Sequence, residues 1–138
     1  MTAVHSMREL EREARTVLRA QGYVTVMVSD CFRYSRYMAF NLTARKERDD
    51  GTVDIMMVKL KISLHPLASL NEAAVFCRDE IRRMKKFFNQ VPPGVRCSRF
   101  EVWISSSVNT FQRFEITRNG IQEILSPDEK TGLQEGAP

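Results

Sequence analysis

The chain has 138 residues, of which 43% are hydrophobic and 28% are charged, and its formal net charge is +4, which predicts one globular domain with a modest basic bias. No apolar run approaches the ~18–20 residues of a membrane span, and the charged residues near the N-terminus argue against a signal peptide. Three cysteines and two histidines match no zinc-binding spacing, so we expect a cytoplasmic protein with free thiols, no cofactor and no membrane contact.

We predict a single domain over residues 1–125 and a flexible tail over 126–138. The first two elements of the domain are a helix and a strand. Ser6 and Glu9 have the spacing of a capping box, in which each side chain bonds the other residue's backbone N–H. Apolar residues then recur at helical spacing until Gly22, which predicts a helix over 7–20. Residues 23–28 are rich in β-branched side chains that alternate, as in a strand.

Two further strands follow, over about 37–46 and 52–62. The turn-forming Asp49-Asp50-Gly51 between them predicts an antiparallel pairing. In the second strand, Asn41, Thr43 and Arg45 share the face opposite the apolar residues. The third strand is apolar on both faces through its middle, which is typical of a buried strand.

A second helix and three more strands complete the predicted fold. Ser69 and Glu72 form another capping box, an apolar stripe continues at steps of three and four, and Pro92 ends the helix. Alternation predicts strands near 100–104, 111–118 and 121–125, the last two joined at Asn119-Gly120. The order helix, three strands, helix, strands predicts an α/β fold. It has a mixed central sheet, a right-handed crossover from strand three to strand four, and a helix on each face.

Asn41 on the second strand and Lys59-Leu60-Lys61 on the third carry a resemblance over about residues 6–107. This part of the chain resembles the restriction-endonuclease-like, or PD-(D/E)XK, superfamily, with its archaeal Holliday-junction-resolvase-like and tRNA-splicing-endonuclease-like domains. The resemblance implies a metal nuclease. Active members carry an Asp on the second strand and an acid, any residue, then Lys on the third, and the two carboxylates hold a divalent cation that activates water.

The residues at those positions differ from the pattern of the superfamily. The Asp maps onto Asn41, the second acid onto Lys59 and the lysine onto Lys61, so an amide and two ammonium groups stand where a cation would bind. A unit charge repels a like charge 4 Å away by about 4 kcal/mol at an effective dielectric near 20. We therefore expect a degenerate active site with no metal, which favours a non-enzymatic role over a residual activity.

The cationic residues point to binding of DNA or RNA phosphates without cleavage. The candidate contacts combine the degenerate site with the densest basic run of the chain: Asn41, Arg45, Lys59, Lys61, Arg82, Arg83, Lys85 and Lys86. Structural explanations compete with this interpretation. Cations near a helix C-terminus complement the helix dipole, and the strand lysines could pair with Glu101 or Glu115.

Two other functions are compatible with the same sequence. An assembly protein could form a homodimer through the edge of the last hairpin, Phe111–Leu125. A residual metal-dependent nuclease could use a relocated acid such as Asp54 or Glu47. The acids of the first helix, Glu9, Glu11 and Glu13, lie where resolvase-like nucleases carry one, but capping by Glu9 and a solvated charged face are the favoured explanation.

Overall fold

A computed structural model describes residues 6–27, 40–92, 98–107 and 110–124. Within these ranges the chain forms three helices and six strands. The elements in chain order are α1 Met7–Ala20, β1 Val24–Met27, β2 Leu42–Glu47, β3 Val53–Ile62, α2 Leu70–Phe76, α3 Arg78–Gln90, β4 Arg99–Ser107, β5 Thr110–Thr117 and β6 Gly120–Ile124. The predicted tail at 126–138 and the predicted start of the second strand at 37–39 lie outside the described residues.

The six strands form one sheet in the order β1-β2-β3-β4-β5-β6. β3 and β4 are parallel, with Met57 beside Phe100, and the other neighbouring pairs are antiparallel. A parallel pair needs a crossover connection, and α2 and α3 supply it. The predicted mixed sheet, and a helical connection between its parallel strands, are confirmed.

The helices cover opposite faces of the sheet, as predicted. Leu10, Ala14 and Leu18 of α1 are fully buried against a cluster that includes Leu42, Val58 and Trp103. On the other face, a second cluster packs α2 and α3 against the sheet; it includes Met57, Cys77, Met84, Phe88 and Phe100. We call these the α1 face and the α3 face. None of the described helices is long and apolar enough to cross a membrane.

The crossover helix is interrupted, although its apolar spacing predicts one continuous helix. α2 ends at Phe76 and α3 begins at Arg78, with Cys77 between them at φ −104° and ψ 19°. At this break the Nζ of Lys61 donates a hydrogen bond to the Phe76 carbonyl at 2.8 Å. A side chain that bonds a helix carbonyl is a recognised cause of kinks. The local sequence of the helix does not reveal such a bond when, as here, the side chain comes from a distant strand.

The turns follow the predicted chemistry with one shift. Arg48 and Thr52 close the β2–β3 turn by a 2.8 Å backbone hydrogen bond, and Gly51 takes the left-handed φ of 85° that favours glycine there. In the last hairpin Thr117 pairs with Gly120. The two-residue turn is therefore Arg118-Asn119, one residue before the predicted Asn119-Gly120.

Candidate functional site

Asn41 lies beside β3 and extends the β2–β3 ladder beyond Leu42. Its backbone N–H donates to the Val58 carbonyl at 2.8 Å, and its side-chain oxygen accepts the Leu60 N–H at 2.8 Å. The Asn41 amide nitrogen donates to Glu11 Oε2 at 3.1 Å. Both ends of the amide are thus hydrogen-bonded within the chain.

Glu11 is a residue of this site that the sequence interpretation discounted. It was grouped with its acidic neighbours as part of a solvated face, yet its carboxylate meets Asn41 across the α1–sheet contact. The spacing of Glu11 from the buried residues of α1 is the sequence signal that indicates this contact. Glu11 precedes the buried residues Ala14 and Leu18 by three and seven positions, which puts it beside the buried stripe of α1.

Lys61 is bound by α2 and α3 on the α3 face. Its Nζ donates to Glu80 Oε1 at 3.0 Å as well as to the Phe76 carbonyl, and it lies 4.4 Å from the centre of the Phe76 ring. The lysine therefore has an acidic partner, but not Glu101 or Glu115, the two acids that the sequence suggested.

Lys59 shares the α3 face with Lys61 and is half-buried. Lys61 meets Glu80, while Met57 packs in the cluster that contains Met84. Lys59 lies between Met57 and Lys61 on β3, which puts it beneath the α3 turn from Glu80 to Met84. It has no ion pair within the described part of the chain.

The residues around Asn41 do not fit the metal that the resemblance implies. Mg²⁺ and Mn²⁺ require several oxygen ligands that converge. Here one carboxylate, Glu11, is next to an amide oxygen that already accepts the Leu60 N–H, and Lys59 and Lys61 lie on the opposite, α3 face of the sheet. The described residues contain no group of three or more His, Cys, Asp or Glu side chains that could hold a metal ion.

The basic run of α3 is displayed to solvent. Its four cationic side chains are exposed, whereas Met84 and Phe88 are buried on the opposite side of the helix. We call this group the α3 cation surface: Arg82, Arg83, Lys85 and Lys86. Arg82 lies 2.9 Å from Asp79, with both side chains 66% exposed, and such surface pairs contribute little energy.

Arg118 supplies the helix C-terminal contact that the sequence assigned to the basic run. Its guanidinium donates to the carbonyls of Phe88 and Val91 at 2.7 and 2.8 Å. The last turn of α3 contains no basic residue of its own. Complementing the helix dipole therefore does not account for the α3 cation surface.

Arg45 lies on the α3 face of the sheet, four positions along the chain from Asn41. It is paired across the strands with Val24 and Ile55, so the three side chains share one face. Arg45 is exposed and lies 3.8 Å from the exposed carboxylate of Glu47.

Asp54 belongs to a separate charged network on the α1 face. Its carboxylate accepts hydrogen bonds from Tyr23 at 2.6 Å and Arg99 at 3.1 Å, and Arg48 lies 3.4 Å away. Burial by itself raises the pKa of Asp54, but the Tyr23 hydrogen bond and the charges of Arg99 and Arg48 outweigh it and hold that pKa below its ordinary value. Asp54 and Lys59 are five positions apart on β3, about 16 Å at ~3.3 Å per residue.

The same network continues to a fully buried carboxylate, Glu101. Trp103 and Arg113 both donate to Glu101 Oε1, at 2.8 and 2.9 Å, and Arg99 lies 3.4 Å from Oε2. Burial lowers the pKa of Arg99, but the charges of Glu101 and Asp54 more than compensate and raise it. A buried charge needs partners of this kind, so the network is explained by folding.

Cys77 directly follows Phe76, whose carbonyl Lys61 binds, and it is fully buried. Burial raises the pKa of the Cys77 thiol to about 11, in spite of the opposing charge of Lys61. The reactive form of cysteine is the thiolate, which is scarce at neutral pH when the pKa is so high.

Comparison with known proteins gives a single kind of match. No family model matches the chain, and no curated protein matches it. Among solved structures it is similar to Hjc from Archaeoglobus fulgidus, a Holliday junction resolvase from an archaeal hyperthermophile. The similarity covers 90% of this chain and 87% of that one, with 11% identity and a TM-score of 0.46. A likeness this distant transfers no activity and no residue role to this chain.

Proposed function

We propose that this protein binds nucleic-acid phosphates through the α3 cation surface and does not cleave the bound strand. Lys59, beneath the same helix, adds a further positive charge. Arg45 extends the basic character of this face toward β1. The occupant is a DNA or RNA backbone, which offers a row of charged oxygens that matches a row of exposed cations.

The observation that carries the proposal is that four cationic side chains of α3 are exposed. Among the described residues, one of them, Arg82, forms an ion pair, and that pair with Asp79 is exposed to solvent. A cation that is bound to a carboxylate inside the fold has less to offer a phosphate. Lys61 is in that position, and its contact with Glu80 keeps α3 against β3. In this proposal Lys61 holds α3 in place, Asn41 ties β3 to α1, and the α3 cation surface makes the contacts, with half-buried Lys59 adding positive charge from beneath the helix.

The test is a comparison of two variants that remove equal charge from opposite faces. Lys85→Gln with Lys86→Gln removes two exposed cations from α3. Arg8→Gln with Arg19→Gln removes two exposed cations from α1. At about 50 mM salt, labelled duplex DNA, duplex RNA and single strands should bind the wild type and the α1 variant alike, and the α3 variant at least tenfold more weakly.

Equal weakening by both variants would mean that net charge, not this surface, drives binding. An absence of binding to any of these nucleic acids at low salt would reject the proposal.

A cleavage assay separates binding from a residual nuclease. Labelled nucleic acid is incubated with the protein and Mg²⁺ or Mn²⁺, with and without a chelator. We expect the nucleic acid to stay intact under every condition, because the side chains around Asn41 do not supply the oxygen ligands that a divalent cation requires. Cleavage that depends on metal and disappears in Asp54→Ala or Glu47→Ala would overturn this part of the proposal.

A second candidate function, homodimer formation, is favoured by an apolar part of the sheet surface. Val24 and Val26 of the edge strand β1 are 69% and 61% exposed, and Val53 and Ile55 on β3 are also exposed on this face. In the last hairpin, by contrast, Phe114 and Ile116 are buried within the protein's own core. One group of exposed apolar side chains among the described residues thus lies on β1 and the start of β3, while Leu64 and Val75 are exposed elsewhere.

Light scattering across a range of protein concentrations tests this candidate. If β1 pairs or packs between copies, the wild type should show a mass near 32 kDa, twice the 16.0 kDa of one chain. Val24→Thr with Val26→Thr should shift it toward the single-chain mass, because Thr keeps strand propensity and removes apolar area. A wild type that stays at the single-chain mass at every concentration would eliminate the homodimer.

A further inference from the structure

A cleft of about 320 Å³ opens on the α1 face between α1 and the start of β5. Five described residues line it: Arg12, Glu13, Thr16, Val17 and Phe111. No function discussed so far involves this cleft, and it lies on the opposite side of the sheet from the α3 cation surface. Its volume is at the lower end of the ~300–1,000 Å³ of small-molecule sites, so it suits one small ring system.

The aromatic floor of the cleft is fixed in place. Phe111 is half-buried and its ring centre lies 5.2 Å from that of Trp103. Trp103 in turn is held by its indole N–H bond to Glu101 and by the Arg113 guanidinium, 4.4 Å from its ring centre. A floor that is already ordered loses little entropy when a flat ligand packs on it.

The polar groups of the cleft are of two complementary kinds. Arg12 offers donors only and has no acidic partner in the described part of the chain, while the carboxylate oxygens of Glu13 are acceptors. The Thr16 hydroxyl is occupied, since it donates to the Arg12 carbonyl at 3.0 Å. A flat ring with a carbonyl or ring-nitrogen acceptor next to an N–H donor would match Arg12 and Glu13 together.

We propose that this cleft binds a single nucleobase-type heterocycle, which packs on Phe111 and hydrogen-bonds to Arg12 and Glu13. The base can come from a free nucleoside or from an unpaired position of a strand. Aromatic side chains hold unpaired bases by stacking without reading their sequence. The site does not depend on the α3 cation surface, because an uncharged nucleoside makes no phosphate contact.

The experiment uses the chain's single tryptophan as a reporter. Its indole N–H signal in a ¹H–¹⁵N spectrum comes from the residue behind Phe111. Adenosine, cytidine and thymidine are titrated to about 10 mM, and a four-residue single strand and a short duplex are titrated in parallel. We expect the nucleosides or the single strand to shift the indole signal, and the duplex to leave it unchanged.

Two pairs of variants control the result. Phe111→Leu should weaken this binding roughly fivefold or more, whereas Phe111→Tyr, which keeps the ring, should retain it. Arg12→Gln should weaken it, whereas Arg8→Gln, an exposed arginine one turn away on α1, should not. Thermal unfolding of each variant verifies that it is folded.

The outcomes distinguish the source of the base and separate this site from the proposed function. Nucleoside binding that a strand does not improve indicates a free nucleoside, and binding by the strand only indicates an unpaired base. Removal of Lys85 and Lys86 should leave the nucleoside shift intact. Absence of any shift, or shifts that Phe111→Leu does not change, would overturn this inference while leaving the α3 proposal standing.

Discussion

Lys61 is the residue for which the folding role is most sharply defined. Lys61→Met leaves the Glu80 carboxylate, whose side chain is 12% exposed, without its cation, and an unsatisfied, mostly buried polar group costs roughly 1–3 kcal/mol. We expect urea unfolding to show a loss in that range, with part of it recovered when Glu80→Gln is added.

Lys59→Met is the matched control for Lys61→Met, because Lys59 lies two residues away on the same strand face and lacks an ion pair among the described residues. It should cost less than about 1 kcal/mol but weaken nucleic-acid binding. Equal destabilisation by the two substitutions would contradict the distinction between a bound and an available lysine.

Asp54 gives the stability of the protein an acid-side dependence on pH. Its pKa is held below its ordinary value in the folded state, so its contribution is complete above pH about 5 and disappears as the pH falls through the folded-state pKa. Asp54→Asn should therefore lower the free energy of unfolding at pH 7 and reduce its decline below pH 4. Denaturant unfolding from pH 3 to pH 7 measures both effects.

The exposed Asp79 provides the comparison for Asp54. Asp79→Asn removes a carboxylate from a solvent-exposed pair and should change neither quantity by more than about 0.5 kcal/mol. If Asp54→Asn gave the same pH profile as the wild type, the Tyr23–Asp54–Arg99 network would not be an energetic feature of the fold.

Sequence patterns predicted residue positions better than residue partners. The strand alternation correctly put Lys59 and Lys61 on one face, but the acid that meets Lys61 is Glu80, 19 positions further along the chain. Asn41 and Glu11 are 30 positions apart. Contacts of this kind depend on how helices cross the sheet, and no local periodicity encodes that geometry.

At the scale of elements, local chemistry determined most boundaries. The capping box at Ser6 and Glu9 is present, and the helix it begins ends at Ala20 as predicted. Ser69 accepts the Glu72 N–H, but Glu72 reaches the Ala68 N–H instead of that of Ser69. The apolar spacing of this segment does not predict the break at Cys77, where Lys61 of β3 bonds the Phe76 carbonyl, because that contact forms only when the sheet and helix have packed.

Breaking the Lys61 contact should also affect the binding surface of α3. The α3 cation surface begins two residues after Glu80, so loss of the Lys61–Glu80 pair loosens the helix at the end where the cations start. Hydrogen exchange should show faster opening of the first turn of α3 in Lys61→Met, while β5 and β6 remain protected to the wild-type extent.

At the scale of the whole molecule, the order of elements was sufficient to predict the mixed sheet. A tight turn makes β2 and β3 antiparallel, and an intervening helix makes β3 and β4 parallel. The sequence did not reveal that α2 and α3 leave Val24 and Val26 uncovered, or that a cleft forms between α1 and β5. Whether a helix buries the side chains of an edge strand depends on where the helix lies across the sheet. The alternation of apolar residues in the sequence is the same in both cases.

The molecule thus has two faces with different surface chemistry. The α3 face presents exposed cations on a helix, whereas the α1 face combines a buried ion network with an aromatic-floored cleft. We propose a phosphate backbone as the occupant of the first face and a single base as the occupant of the second.

The salt dependence of binding tests the central claim most directly. Each phosphate neutralised on duplex DNA contributes about 0.9 to the slope of log affinity against log salt concentration. Removal of Lys85 and Lys86 should therefore flatten the wild-type slope by about 1.8, while removal of Arg8 and Arg19 should leave it unchanged. Equal slopes for the wild type and both variants would contradict phosphate binding by the α3 cation surface.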